Sequence, residues 1–474
     1  MTSCGNPNID GESLMKGKQK FDRTVTCVKC KTQRGNLVIR HAVYCKDCFF
    51  PFVTTKIRRA LDPHINESPE TSRRRGLKAS GNLLLGFSGG LGSTVLLNTL
   101  SNIYFPASAS DNNDKGGKAH PRNKRVWEKA YICYVETSAA YPEGQVKDRS
   151  EEIRRFLKEQ DTFELIEARI EDAFDWQWRK RMEKSIHELS DLVIDLADED
   201  LPLLSVSGDN NESPVSRLRA YLSSLPTPTA LQSAISSLTR NILAHTAYNL
   251  QCSHLALGTS LTSLSVALIN SIAQGGGFNI PEESYEEWIP PSSPVLDSDS
   301  SDHDLTEKKI LRIVRPLRDV GMKECGAWAY WKGLRVVGRE KPSIFGSKQT
   351  IGGLTKNFIV GLEKDYPSTV STIARTCAKI APKEQAQLQC ALCERPTPDH
   401  IINWKSRISI RSLDKNERSI TNSVSAGGDV NSSANESLSE SLCYFCHTLL
   451  TSKSPRSVVA PNTRKILWRA MKLM

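Results

Sequence analysis

A glycine-rich segment, GFSGGLGSTVLL at Gly86–Leu97, constrains the fold of this chain more than any other feature. It follows the apolar run NLLLGF, which has the length of a β-strand, and it leads into a run typical of a helix start. Backbone N–H groups converge in such a strand–loop–helix unit, and the helix dipole favours an anion there. The predicted phosphate contacts are Ser88, Gly89, Gly90, Ser93 and Thr94. A tight strand-to-helix turn that binds no ligand is the alternative interpretation.

Strand-like and helix-like segments alternate after this loop. Further strands are predicted in WEKAYICYVET, FELIEARIED, HLALGTS and ILRIVRPL. This alternation predicts an α/β fold with a doubly wound parallel sheet, in which ligands bind at the carboxyl ends of the strands. The segments expected to line one crevice are the glycine-rich loop, ETS at 136–138, GTS at 258–260 and RPLRD at 315–319. Arg315 and Arg318 would bind phosphate there or else lie at the surface.

Cysteine pairing is the second strong pattern. Thirteen cysteines occur, and eight of them form four CxxC pairs. The first two pairs are 14 residues apart, a spacing that suits a four-cysteine zinc ribbon or knuckle. The polar start of the chain predicts a reducing compartment, which disfavours disulfides. We therefore predict zinc at Cys27, Cys30, Cys45 and Cys48, with His41 at the surface.

The C-terminal pairs are separated by 49 residues, many of them small and polar. A long polar loop adds little closure entropy, so the two pairs are able to share one ion. A second zinc site is predicted at Cys390, Cys393, Cys443 and Cys446. His400 and His447 are alternative ligands, and whether the pairs share one ion is left open at this point.

Charge and hydropathy limit the function classes. The net charge is +10 and the pI is about 8.9. Such a surplus favours a polyanion such as RNA, although solvated surface lysines and arginines are an equal interpretation. No run approaches the roughly 18 apolar residues of a membrane span, so we expect a soluble protein with no membrane partner.

Composition shifts predict the domain boundaries. A disordered tail is expected at 1–20, an N-terminal zinc module at 21–52 and a basic helical connector at 53–80. The α/β domain spans 81–382, with polar inserts at 107–124 and 290–309. A C-terminal zinc module follows at 383–450 with a disordered insert at 411–441, and a basic tail at 451–474 ends the chain.

The ordered combination of these pieces resembles the family of cytoplasmic tRNA 2-thiolation protein 2, a degenerate PP-loop subunit of the tRNA wobble-uridine thiolase. The residues that carry the resemblance are CVKC…YCKDCF, GFSGGLGSTVLL, CSHLALGTSLTSLSVALINSIAQGGG, IVRPLRDVGMKE, CALCERP and CYFCHTLL.

The resemblance implies a sheet of PP-loop ATPase type and a cytoplasmic complex that 2-thiolates wobble uridine (mcm5s2U) in tRNA. The implied partners are tRNA, an active PP-loop thiolase in a heterodimer, and a thiocarboxylated ubiquitin-related modifier as sulfur donor. Protein urmylation belongs to the same implied setting.

The sequence departs from the pattern of active relatives at several points. Gly92 stands at the acidic position of SGG-x-D-S, and Thr262 and Ser263 replace an acidic pair. Serines replace a CxxC in TALQSAISSLTRNIL, and Cys325 is the only thiol between 315 and 361. Because serine cannot replace a sulfur-carrying thiolate, we predict no catalytic residues.

The predicted role is therefore a non-catalytic, tRNA-binding subunit, with ATP binding left open. Two alternatives remain. One is an active tRNA-adenylating sulfurtransferase whose magnesium ligands are Glu136 or Asp319. The other is a zinc-ribbon nucleic-acid-binding protein of unrelated role.

Overall fold

A computed structural model describes residues 26–40, 42–66, 81–105, 126–158, 162–175, 213–290, 310–338, 350–380, 388–398 and 442–451. The strands are β1 (Leu37–Ile39), β2 (Ala42–Tyr44), β3 (Asn82–Gly86), β4 (Ala130–Glu136), β5 (Glu164–Arg169), β6 (Cys252–Leu257), β7 (Tyr285–Trp288), β8 (Leu311–Val314), β9 (Leu388–Gln389) and β10 (Pro396–Thr397).

Helices follow most of these strands. They are α1 (Lys46–Ile65), α2 (Leu91–Tyr104), α3 (Ser150–Leu157), α4 (Pro214–Ser224), α5 (Pro228–Asn249), α6 (Leu261–Ala273), α7 (Ile280–Ser284), α8 (Met322–Lys332), α9 (Ile351–Asp365), α10 (Pro367–Ile380) and α11 (Tyr444–Thr451). Short 3₁₀ turns occur at Ser138–Ala140 and Ile170–Phe174.

A six-stranded sheet in the order β5-β4-β3-β6-β8-β7 forms the centre of the protein. The first five strands of this order are parallel, and β7 pairs antiparallel with β8 at the edge. The predicted α/β fold is thus confirmed, and the sheet is mostly rather than wholly parallel. The strand order reverses between β3 and β6, so the loops after these two strands meet at the carboxyl edge.

Alternate residues of the central strands pack against two helical layers, one on each face of the sheet. Leu83 and Leu85 of β3 pack with α1, α2 and α8, whereas Leu84 packs with α4 and α5. The same alternation holds in β4, whose residues are all buried. Burial on both faces explains why these strands are continuous apolar runs in the sequence.

One predicted domain boundary falls inside a helix, and several predicted segments lie outside the described residues. Helix α1 runs without interruption across the expected junction between residues 52 and 53, so the first cysteine module and the connector share one helix. The expected tail at 1–20 and the inserts at 107–124 and 411–441 lie outside the described residues. The same holds for 290–309 except residue 290, and for 451–474 except residue 451.

His254 lies fully buried in β6, at the centre of the sheet. The indole N–H of Trp127 donates to its Nδ1 at 3.3 Å, and its Nε2 lies 3.3 Å from the carbonyl oxygen of His64. Both contacts suit a neutral imidazole with its proton on Nε2. Burial lowers the pKa of His254 to about 4, so the folded protein holds this ring uncharged.

This histidine should make stability depend on pH. Between about pH 6.5 and 4 the unfolded chain binds a proton at His254 that the folded chain does not, so stability falls as the pH falls. In His254→Gln that contribution is absent, and the slope of unfolding free energy against pH should flatten by up to about 1.4 kcal/mol per pH unit. Urea titrations at half-unit pH steps measure it. Parallel wild-type and variant curves would contradict the assignment.

Candidate functional site

The predicted phosphate-loop residues come together in one turn between β3 and α2. Gly90 caps α2 with extended backbone, and the hydroxyls of Ser93 and Thr94 both donate to its carbonyl oxygen at 3.0 Å. The backbone N–H of Ser88 lies 3.4 Å from Ser93 Oγ. The hydroxyls that would meet a phosphate therefore bond within the loop itself.

The residue at the acidic position, Gly92, is in direct backbone contact with the loop after β6. A Cβ added at Gly92 would lie 2.1 Å from the carbonyl oxygen of Gly258, and one added at Gly258 would lie 2.5 Å from Ser93 N. Because both closest atoms belong to the backbone, no rotamer change relieves the contact. The two loops at the strand-order reversal are packed too closely for any side chain at either position.

The segment that follows α8 and includes Val337 and Gly338 packs on the glycine-rich loop as well. The N–H of Gly338 donates to the carbonyl oxygen of Gly89 at 2.8 Å. The guanidinium of Arg149 donates to the carbonyl oxygens of Val337 and Gly338, both at 2.7 Å. Gly89 itself has a φ of 70°, a conformation that favours glycine. Arg149 thus fixes Val337 and Gly338 over the glycines.

Glu136, at the end of β4, is buried with all its acceptor positions in use. One carboxylate oxygen accepts from the backbone N–H groups of Thr137 and Ser138 at 2.9 and 2.8 Å. The other accepts from the Tyr134 hydroxyl at 2.7 Å and from Arg149 N at 3.1 Å. Glu136 therefore organises the loop after β4 and has no free lone pair for a magnesium ion.

Thr262 and Ser263, in place of an acidic pair, also have structural contacts. Thr262 Oγ1 donates to Glu363 at 2.7 Å and accepts from Met322 N at 2.9 Å, which joins the starts of α6 and α8 to α9. Ser263 N donates to Ser260 Oγ at 3.3 Å, a normal helix N-cap.

The remaining candidate residues, in the loop after β8, do not converge on one site. Arg315 is buried, and its charge faces Glu283 and Glu286, while one terminal nitrogen has no hydrogen-bond partner. Burial lowers the pKa of this guanidinium. Arg318 lies 3.9 Å from the mostly exposed Asp319. Arg315 thus belongs to an internal ionic network, and Asp319 lies at the surface.

The N-terminal cysteines form a compact group. Cys27 and Cys30 lie on a turn whose next residue, Lys31, has a φ of 57° and donates its N–H to Cys27 O at 2.8 Å. Cys45 caps α1, and Cys48 lies in the first turn of that helix. The hairpin of β1 and β2 connects the two pairs.

The C-terminal cysteines are arranged on the same plan. Glu394, after Cys393, has a φ of 55° and donates its N–H to Cys390 O at 2.8 Å. Cys443 precedes α11, and Cys446 lies in its first turn. Cys393 and Cys443 bring their Sγ atoms within 3.7 Å of each other across the 49 intervening residues. The two distant pairs therefore make a single group, which answers the question left open by the sequence.

Both groups fit one tetrahedral metal ion. In each, all four Sγ atoms lie within 4.8 Å of one another. Metal–sulfur bonds of about 2.3 Å in a tetrahedron place sulfurs about 3.8 Å apart. The Cys30–Cys45 separation is 3.8 Å, and none of the described cysteines is in a disulfide. His447 is not needed as a ligand, and His41 and His400 lie outside the described residues.

The thiols of the first group affect one another. Burial, followed by hydrogen bonds with its cysteine neighbours, raises the pKa of Cys48 to about 12, whereas the Thr32 side chain lowers the pKa of Cys30 to about 6. Packing four thiolates together is unfavourable without a cation between them. The helix N-termini at Cys45 and Cys443 favour negative charge at both groups.

The C-terminal group is fixed to the α/β domain by a buried polar network. Glu394 accepts from the Trp288 indole at 3.1 Å and pairs with His245 at 2.9 Å. Arg240 donates to Cys393 O at 3.0 Å and forms an ion pair with Glu286. These contacts join residues between 46 and 153 positions apart, so the sequence pattern could not reveal them.

The fold and its sites define a class: a doubly wound α/β protein with a glycine-rich strand-to-helix loop and two four-cysteine groups, one attached to each face of the sheet. A family model described as cytoplasmic tRNA 2-thiolation protein 2 matches residues 350–448. The predicted resemblance to this family is confirmed.

Two relatives of that name align along nearly the whole chain, and a third aligns over part of it. The protein from Phaeosphaeria nodorum is 24% identical over 91% of this chain and 96% of its own length. The protein from Kluyveromyces lactis is 22% identical over 92% of this chain and 94% of its own. The protein from Drosophila persimilis is 30% identical over 38% and 45%.

Among solved structures, the U34-tRNA thiolase NcsA from Methanococcus maripaludis, with its [4Fe-4S] cluster, is similar at 16% identity. The match has a TM-score of 0.45 and covers 75% of this chain and 88% of that one. Among the described residues, no helix is long and apolar enough to cross a membrane.

The contact between the two loops predicts opposite effects for two glycine substitutions. Gly258→Ala forces a Cβ against the backbone of α2 and should cost roughly 1–3 kcal/mol of unfolding free energy. Gly361→Ala is the matched control, because nothing lies within 4 Å of its Cβ position in α9, and it should gain about 0.4–1 kcal/mol. Urea denaturation of both variants measures the difference. Equal stability of the two would show that the loops are not in contact.

Proposed function

We propose that this protein is a non-catalytic, tRNA-binding subunit of the cytoplasmic machinery that 2-thiolates wobble uridine. Similarity to the cytoplasmic tRNA 2-thiolation proteins supports the pathway and the cytoplasmic location. In this proposal the chain forms a heterodimer with an active PP-loop thiolase, and sulfur comes from a thiocarboxylated ubiquitin-related modifier. The α/β domain is a PP-loop fold that has kept its framework.

One observation carries the non-catalytic role: the backbone contact between Gly92 and Gly258. An aspartate at position 92 would place its Cβ against a carbonyl oxygen, so the crevice has no room for the carboxylate that organises magnesium and phosphate. The covering segment at Val337 and Gly338 occupies the outer side of the same loop.

The other candidate magnesium ligands and the candidate sulfur-carrying thiol are poorly placed for these roles. The Glu136 carboxylate is saturated by four hydrogen bonds, and Asp319 faces solvent. Cys325 is buried in α8, and burial raises the pKa of its thiol to about 12. A buried thiol of that pKa is a poor nucleophile at neutral pH.

We further propose that both four-cysteine groups hold zinc. Four thiolates around one point match the ion's preference for tetrahedral sulfur ligands. A [4Fe–4S] cluster binds its four cysteines on four separate irons, which requires the sulfurs to stand farther apart than around a single ion. The ion would neutralise the thiolates and hold together segments far apart in sequence.

Metal analysis tests this assignment. Elemental analysis of the purified chain should give two zinc ions and no stoichiometric iron. Cys27→Ser and Cys443→Ser should each lower the content by one ion, and Cys443→Ser should also destabilise the α/β domain because its group is fully buried. Cys377→Ser, a buried cysteine outside both groups, is the control and should keep both ions. Iron at one or both sites would contradict the zinc assignment.

Reconstitution tests the function. Removal of the chain from cells should abolish 2-thiolated wobble uridine, detected by mercury-gel retardation of tRNA. The purified chain with ATP, a sulfur donor and a tRNA transcript should install no sulfur, and adding the catalytic partner should restore the reaction. Gly92→Asp should not confer activity on the isolated chain.

Three results would contradict the proposal in different ways. Thiolation or tRNA adenylate formed by the isolated chain would identify an active enzyme. Normal wobble thiolation in cells that lack the chain would indicate an unrelated nucleic-acid-binding role. A monomer that never co-purifies with a thiolase would exclude the heterodimer.

A further inference from the structure

The two cysteine groups are similar enough to be compared residue by residue. Each begins with a CxxC turn in which the residue after the second cysteine has a left-handed conformation and donates to the carbonyl oxygen of the first. Lys31 in the N-terminal turn therefore corresponds to Glu394 in the C-terminal turn, and Lys29 corresponds to Leu392.

The tip of the C-terminal turn is buried against the α/β domain, except for one residue. Leu392 is buried, and its carbonyl oxygen accepts from Asn241 of α5 at 3.3 Å. Glu394 is also buried and bonds to His245 and Trp288. Every position of this tip that could meet a partner, except the exposed Ala391, faces the α/β domain.

The equivalent tip of the N-terminal turn is exposed and basic. Val28, Lys29 and Lys31 all face solvent. Lys46, at the start of α1, is exposed beside the same group of cysteines. Within the described part of the chain, these three lysines take part in no ion pair.

The surrounding charge is almost entirely of one sign. Five basic residues and one acidic residue, Asp47, occur between Thr26 and Cys48. The Asp47 carboxylate accepts a hydrogen bond from Gln33 at 3.0 Å. The module packs on the sheet face opposite to the C-terminal group, and the exposure of Val28, Lys29 and Lys31 shows that none of the described residues covers the tip.

We propose that the tip of the N-terminal cysteine module, formed by Val28, Lys29 and Lys31, binds the phosphate backbone of tRNA. The inference rests on the proposed function and specifies the surface that meets the RNA. Lysine ammonium groups bind phosphates as flexible point charges and carry no base specificity. This suits a subunit that positions several tRNAs for a separate catalytic chain.

An acidic protein is the competing partner for a lysine-rich tip. Protein interfaces are depleted in lysine and centre on buried aromatic or aliphatic anchors. In the described part of the N-terminal module, Val28 is the only large apolar residue that is strongly exposed. The chemistry of the tip therefore favours RNA.

Charge reversal tests the proposal. The variant carries Lys29→Glu and Lys31→Glu, and the matched control carries Lys356→Glu and Lys364→Glu, two exposed lysines of α9. The full chain, with its partner subunit if co-purified, is titrated into a labelled tRNA transcript at several KCl concentrations, and anisotropy gives Kd. The tip variant should weaken binding at least tenfold and lower the salt slope of log Kd by about two, one per lost phosphate contact.

Further measurements separate binding from folding. Metal content should be unchanged in the tip variant, and Lys29→Arg with Lys31→Arg should retain wild-type affinity. If charge reversal releases metal, Lys29→Ala with Lys31→Ala provides the comparison. Affinity and salt slope equal to those of the control would overturn the proposal. Intact tRNA binding with loss of a co-purified protein would overturn it in favour of an acidic protein partner.

Cellular complementation keeps this inference distinct from the proposed function. If the tip variant restores full wobble thiolation to cells lacking the chain, the tip assignment fails while the function stands. If cells lacking the chain thiolate normally, the proposed function fails, and the anisotropy titration still decides whether the tip binds RNA.

Discussion

The backbone contact between Gly92 and Gly258 determines what the crevice of this protein is able to do. It lies where the strand order reverses, the position at which doubly wound sheets bind their ligands. With no Cβ on either residue, the loops after β3 and β6 approach until backbone meets backbone. Further hydrogen bonds hold the same turn: the hydroxyls of Ser93 and Thr94 donate to the carbonyl oxygen of Gly90, and the N–H of Gly338 donates to that of Gly89.

The two cysteine modules share a backbone plan but differ in their surroundings. The C-terminal group is surrounded by α5, β7 and α11 and by a buried network of opposite charges, which makes it part of the core. The N-terminal group rests on the aromatic side chains of α1 and α8 through Phe49 and leaves its turn in solvent. The same backbone arrangement is therefore part of the core in the C-terminal module and carries exposed lysines in the N-terminal module.

Sequence patterns predicted the strands and helices that have a strong local hydrophobic pattern. The apolar strands β3, β4 and β6 appear where hydrophobic patterning placed them. Helix α4 lies in a charged, serine-rich stretch, where Ser213 as N-cap and Pro214 after it are the local signals of a helix start. Helix α9 contains three glycines and β7 is four residues long with two glutamates, so neither has a strong local pattern.

The site was predictable as a list of residues but not as a set of contacts. CxxC spacing identified the eight cysteines and predicted their grouping by four, but only the three-dimensional structure brought the two distant C-terminal pairs together in one group. The absence of an aspartate at position 92 was visible in the sequence, whereas the lack of space for one was not. Long-range packing, such as Glu394 against Trp288, leaves no periodic pattern in the sequence.

The paired glycines have a consequence for the history of such a chain. While one loop remains closed, a larger residue in the other is a steric burden, so each glycine protects its counterpart from replacement. An acidic side chain at position 92 would require the loop after β6 to move away from α2, and the Arg149-bound segment packs on the other side of the same turn. A substitution at either position alone is therefore expected to lower stability, so the two glycines would be replaced only together.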